Sequence, residues 1–210
     1  ASIKVPCVLC SESAAEMNFS NLSSFTTDDR EAARAAAEYL IRSGHRKIGI
    51  VCGSAESEAG LIGSKRVESA IAAFKKNKIP FNKRKQFVPG KFSLEDGYNG
   101  TIKLLESYPE VTAIYAVSDV VAIGALRAIN DRKLKVPQDI SIIGNDGIDF
   151  ARYVTPRLAT VEQDVSQLAK RSVDDLLLRL NYNKPVIHEI IPFHVLAGES
   201  IRIQKPVEEK

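Results

Sequence analysis

Short apolar runs alternate along this chain with longer stretches in which apolar residues recur every three or four positions. The clearest runs are 47–52, 112–117 and 140–144. Each is aliphatic, too short for a helix and flanked by polar residues, as a strand buried on both faces reads. Further strands or extended segments are predicted at 3–10, 22–25, 86–88, 158–162, 186–191 and 193–203. Helical spacing puts Ala33, Ala36, Ala37, Leu40 and Ile41 on one stripe, and Val67, Ala70, Ile71 and Phe74 on a second within 65–77. Asp28 and Glu31 stand in a capping relation at the start of the first helix, and Gly44 ends it. Other helices are predicted from Ser93 to Ser107, over 120–132 and over 166–180, the last with Asp164 as its cap and Gln167 three residues on.

The order β-α-β-α-β-α-β up to Gly144 predicts an α/β fold with a doubly wound parallel sheet and right-handed crossovers. In such sheets ligands bind outside the carboxyl ends of the strands. Asp119 follows strand 112–117 and Asp146 follows strand 140–144, so each stands where a ligand would sit.

Composition narrows the classes. The 210 residues are 44% hydrophobic, enough for one or two packed lobes, and the net charge is +3. The basic cluster Lys75-Lys76-Asn77-Lys78 and Lys83-Arg84-Lys85 lacks interleaved aromatics and reads as a solvated helix end and loop rather than a nucleic-acid patch. No apolar run approaches the roughly 18 residues of a membrane span, so no membrane partner is expected. Three cysteines suit a reducing, cytoplasmic setting. Cys7 and Cys10 form a C-x-x-C within a strand-like run, where residues three apart point to opposite faces and do not converge on a metal. His45, His188 and His194 show no metal spacing, and no nucleophile elbow occurs, so neither a metal, a cofactor nor a catalytic residue is assigned.

Four local signatures then point one way. Ser43-Gly44-His45-Arg46-Lys47-Ile48 resembles the G-H-R-x-I turn of the LacI/GalR family of bacterial transcription regulators. Ser118-Asp119-Val120-Val121-Ala122-Ile123-Gly124 resembles that family's N-D-x-x-A-x-G. The run from Val136-Pro137 through Asp139-Ile140-Ser141 to Gly144 and Asp146 resembles V-P-x-D-I-S-V-x-G-x-D, and Pro156 to Gln163 resembles P-x-L-T-T-V-x-Q. The matches run in the family's order and cover most of the chain.

The resemblance implies a type I periplasmic-binding-protein-like fold, with one complete lobe and part of a second. It places a C-terminal effector subdomain at 26–163 plus 191–204 and a partial N-terminal one at 1–25 plus 164–190. It implies an effector-sensing domain that binds a small sugar-like molecule in an interlobe cleft, acts as a homodimer, and reaches operator DNA through an N-terminal helix-turn-helix absent from this chain. It also implies ligand contacts. Arg66 matches the arginine of R-x-x-G, with Ser69 in place of the glycine, and its fork suits vicinal hydroxyls or a carboxylate. Asp119 is a hydroxyl acceptor as well as an N-cap for helix 120–132. Ser118 replaces the usual asparagine, and Asp146 matches the family's acid, with Asn145 where an aromatic is usual. Phe25 either stacks on a ring or packs in the hinge, while Gln163 and Ser11 lie at a crossing and a strand end facing the cleft. On this reading Arg66→Ala and Asp146→Ala abolish effector binding and leave the fold intact. The rivals are an extracytoplasmic sugar-binding protein of a transporter and a flavodoxin-like enzyme using Asp119 and Asp146 with a metal.

Overall fold

The computed structural model describes residues 5–15, 19–53 and 62–204. The start of predicted strand 3–10 and the polar tail lie outside that range. The chain divides into two compact units, one of residues 1–28 and 163–193, the other of 29–162 and 194–210.

The larger unit begins with helix α1 (Asp29–Arg42), whose small face of Ala32, Ala33, Ala36 and Ala37 is buried. There follow β3 (Ile48–Val51), α2 (Ile62–Lys76), the short α3 (Lys83–Gln86), β4 (Phe87–Val88), α4 (Leu94–Ser107), β5 (Ala113–Ala116), α5 (Asp119–Asp131), β6 (Ser141–Asp146), β7 (Ala159–Gln163) and β9 (Phe193–Leu196). They form a six-stranded sheet in the order β4-β3-β5-β6-β7-β9. The pairs β3–β4, β3–β5, β5–β6 and β6–β7 are all parallel. Parallel neighbours need crossover helices, and these bury both faces of the sheet. Hence Ile48, Ile50, Ile114, Tyr115, Ile142 and Ile143 are fully buried. α4 and α5 pack at very close range: a Cβ on Gly124 would lie 2.1 Å from the Leu94 carbonyl oxygen, so only glycine fits the last position of the S-D-x-x-A-x-G run.

The elements follow the hydrophobic pattern, with these among the differences. Residues 83–86 form a helical turn capped by Asn82, which accepts from the Arg84 amide, so the predicted strand 86–88 shrinks to β4. The last predicted strand, 193–203, ends at Leu196. Beyond it Gly198 takes φ 56°, the Glu199 amide bonds the Arg157 carbonyl at 2.6 Å, and the Ser200 hydroxyl donates to the Ile142 carbonyl at 2.6 Å.

The smaller unit has a parallel three-stranded sheet, β1 (Cys7–Cys10), β2 (Leu22–Thr26) and β8 (His188–Ile190), in the order β1-β2-β8. Helix α6 (Val165–Tyr182) packs on it. Its cap is Asp164, which accepts from the Gln167 amide at 2.9 Å, as the sequence predicts. α6 buries a largely polar stripe, Leu168, Ser172, Asp175 and Arg179. Arg179 reaches the carbonyls of Cys7 (2.8 Å) and Asn21 (2.6 Å) and the Ser23 hydroxyl (3.1 Å), which ties the helix to β1 and β2. The outer stripe of Val173, Leu177 and Leu180 is exposed.

The glycine-histidine turn after α1 has a physical reason. Gly44 takes φ 91°, and His45 is buried with Nε2 3.1 Å from the Arg202 carbonyl and Nδ1 3.1 Å from the Thr112 hydroxyl. A carbonyl only accepts, so Nε2 carries the proton and Nδ1 accepts from Thr112. Burial lowers the imidazole pKa to about 4. The unfolded chain then binds the extra proton between the ordinary value of 6.5 and 4, so stability falls as pH drops through that window. The loss approaches about 3 kcal/mol at most. His45→Gln should flatten the acid limb of a denaturant-midpoint-versus-pH curve; an unchanged limb would place the acid sensitivity elsewhere.

Candidate functional site: a charged rim on the larger sheet

β3, β5 and β6 are parallel and adjacent, so their carboxyl ends share one rim. Asp146 is the last residue of β6 and has φ 121°, a conformation that L residues rarely adopt. Strain of this kind persists only where the surroundings enforce it, and it gathers at functional sites.

Two groups do the enforcing. The first is Arg66 on α2, only 2% exposed. Its Nη1 lies 2.9 Å from Asp146 Oδ1 and donates to the Val117 carbonyl at 2.7 Å. Its Nε and Nη2 both reach Asp29 Oδ1, at 2.8 and 2.7 Å. With the Asn145 amide turned so that its oxygen faces the cation, that oxygen accepts from Nη1 and Nη2 at 3.2 Å. Burial opposes the guanidinium's charge, but Asp146, Tyr115 and Asp29 outweigh it and raise its pKa further. Asp146 is itself raised, by burial against the pull of Arg66.

The second is Asp119. It is fully buried, and both oxygens are engaged: Oδ1 accepts from the Thr160 hydroxyl at 2.6 Å, and Oδ2 from the amides of Gly147 (2.7 Å) and Ile148 (2.9 Å). The carboxylate lies directly over Gly144, where a Cβ would come within 2.1 Å of Oδ1. That contact explains the glycine two residues before Asp146. Burial raises the Asp119 pKa to about 6 despite the three donors. Asp119 thus fastens the first two residues of the loop that follows Asp146.

Several expectations change here. Ser118, not Asp119, caps α5: its hydroxyl accepts from the Val121 amide at 3.3 Å, while Asp119 turns into the loop and offers no open oxygen. Arg66 is no bare surface fork: removing it would leave the half-buried carboxylates of Asp29 and Asp146 without their cation, so Arg66→Ala is now expected to cost stability as well as binding. Phe25 is fully buried against Leu168, Ile191 and Val8, so packing is its role. Ser11 (φ 68°) donates to Gln163 Oε1 at 3.5 Å within the smaller unit. Of the seven residues singled out, the structure pairs Arg66 with Asp146, sets Ser118 and Asp119 on the same sheet's rim, and places Ser11 and Gln163 in contact.

Pattern reading missed Asp29, Thr160 and Phe92. Asp29 was hidden in a capping sequence. Thr160 lay inside the P-x-L-x-T-V run and could have been paired with an acid. Phe92 stands alone in a loop; its ring centroid lies 6.0 Å from the Arg66 guanidinium carbon, and it is 45% exposed. The Tyr115 hydroxyl is buried with no hydrogen-bond partner among the described residues.

The architecture and the motifs now meet their relatives. Over residues 37–201 the sequence matches the periplasmic binding protein-like domain family, and the chain belongs to that family. It is 34% identical over 173 residues to the probable HTH-type transcriptional repressor ExuR of Bacillus subtilis, covering 82% of this chain and 50% of that one. To the ribose operon repressor of Haemophilus influenzae it is 37% identical over 145 residues, covering 69% and 42%. The crystal structure of a LacI family transcriptional regulator from Enterococcus faecium with bound ribose superposes with a TM-score of 0.77 at 29% identity, over 88% of this chain and 67% of that one. The resemblance carried by the four motifs is borne out. The chain spans about half the length of the curated relatives it matches.

Proposed function

We propose that this chain is the effector-sensing part of a LacI-type transcription regulator, and that it binds a small polyhydroxylated molecule, a sugar or sugar derivative, at the charged rim. The observation that carries the reading is Asp146, held in a strained conformation by Arg66 and by the loop that Asp119 fastens. Asp146 offers acceptor oxygens to hydroxyls, and Arg66, whose N–H groups are engaged by Asp29, Val117, Asp146 and Asn145, holds that carboxylate in place. The exposed ring of Phe92 beside Arg66 supplies an apolar face of the kind sugars stack on. The E. faecium neighbour holds ribose, and the H. influenzae relative is named for the ribose operon, so pentoses are the first class to try.

The same proposal takes the larger unit as the C-terminal effector subdomain and the smaller as part of the N-terminal one. It places operator binding on a separate helix-turn-helix of the full regulator, and the protein in the cytoplasm. No helix among the described residues is long and apolar enough to cross a membrane. The regulator works as a homodimer, to which the exposed stripe of α6 is an available surface. The reading asks for binding and a population shift, not for a chemical step. The transporter alternative draws nothing from relatives whose printed names are repressors.

A thermal-shift panel of pentoses, hexoses, uronates and disaccharides tests it, with divalent cations as the control for a metal enzyme. Selective stabilisation by one sugar class is expected, since a ligand that binds only the folded state raises its stability by mass action. Stabilisation by divalent cations alone would overturn the reading.

A further inference from the structure

A second concavity, of about 430 Å³, opens beside the last strands of the larger unit. Ile148, Ala151, Leu158 and Leu196 are among the apolar residues that line it, and Arg152, Arg157 and Thr160 are its polar ones. The walls are pinned. The Leu158 amide donates to the Ala151 carbonyl at 3.0 Å, and the Arg157 amide to Glu199 Oε2 at 3.0 Å. The Ile148 amide is held by Asp119. A site with walls fixed in this way is largely pre-formed, and its size is in the range of small-molecule pockets.

The two guanidiniums differ. Arg152 is taken by Glu162 at 2.6 Å. Arg157 is exposed, and no carboxylate among the described residues pairs with its guanidinium. A cation without a carboxylate partner beside apolar lining residues suits an anion with an apolar body. A polyol would leave hydroxyls unmatched against Ile148 and Leu158, and a bare phosphate would leave these side chains wet.

We infer that this concavity binds a small organic carboxylate with an apolar body, its carboxylate held by Arg157. The concavity borders the loop that Asp119 fastens, sharing Gly147, Ile148 and Thr160 with it, but neither Arg66 nor Asp146 lines it, and the inference does not depend on the sugar reading. The nearby Phe150 and Tyr153 are both largely exposed, so a second copy of the chain seated here is the competing occupant.

The test follows the backbone amides of residues 148, 151, 158 and 196 by NMR while 3-phenylpropionate is titrated into the protein, with 3-phenylpropionamide as the neutral isostere. The acid should shift these amides to saturation and bind about tenfold or more tighter than the amide, as the loss of a charge-assisted pair implies. Arg157→Met should weaken the acid by the same factor and leave the amide's affinity alone. Equal affinities for acid and amide, no response at the four amides, or an Arg157→Met protein that binds like wild type would each overturn the inference. So would amide positions that depend on protein concentration without ligand, since a second copy would then fill the site.

Discussion

Arg66→Met is expected to cost the larger unit about 3–5 kcal/mol in urea unfolding, the usual penalty for removing one partner of a buried ion pair. Asp29 and Asp146 would be left facing each other, and the Val117 carbonyl would lose its donor. Methionine keeps most of the side chain's volume, so the effect reads the charge rather than a cavity. Arg66→Lys should recover only part of the loss. An ammonium restores the charge but cannot span Asp29, Asp146 and Val117 in the geometry of a planar fork. Because the chain has two units, the transition must be followed with a probe in the larger one. A loss below about 1 kcal/mol would mean that the pair resembles an exposed salt bridge and does not brace the rim.

The second large effect belongs to Asp119→Ala, at about 2–4 kcal/mol, since the Thr160 hydroxyl and the amides of Gly147 and Ile148 would all lose their acceptor. It should also weaken effector binding at temperatures where the protein remains folded, because the loop after Asp146 is released. Asp119→Asn keeps one acceptor oxygen and should cost less. Its pH dependence is diagnostic. The wild-type carboxyl is raised from 3.8 to about 6 in the fold, so the folded state holds more protons in that window. Wild-type stability should therefore rise relative to Asp119→Asn as pH falls from 6 towards 4, and a gap that stays constant would contradict the buried-carboxylate assignment.

Most of the sheet was legible because strands buried on both faces read as continuous aliphatic runs, and helices α1, α2 and α4 to α6 carry clear periodicity or caps. Asp119 and Asp146 could be placed at the carboxyl ends of strands by topology alone, while Arg66 entered through the resemblance. Their mutual engagement could not. Whether a carboxylate is open or consumed depends on partners far along the chain, such as Asp29 for Arg66 and Thr160 for Asp119. Local signals also mislead where two residues compete: Ser118 and Asp119 are both good caps, and packing against Gly144 decides which one turns inward. Phe25 had two compatible readings, and only the burial of its neighbours Leu168 and Ile191 separates them.

The central claim is that the loop carrying Asp146 is where the effector is felt. Its most direct test is an amide NMR titration with the sugar that the thermal panel selects, following residues 117–119 and 145–148. Those amides should move together and saturate at the concentration that half-saturates the thermal shift. If they stay fixed while the sugar binds and other resonances move, the rim is not the sensing site.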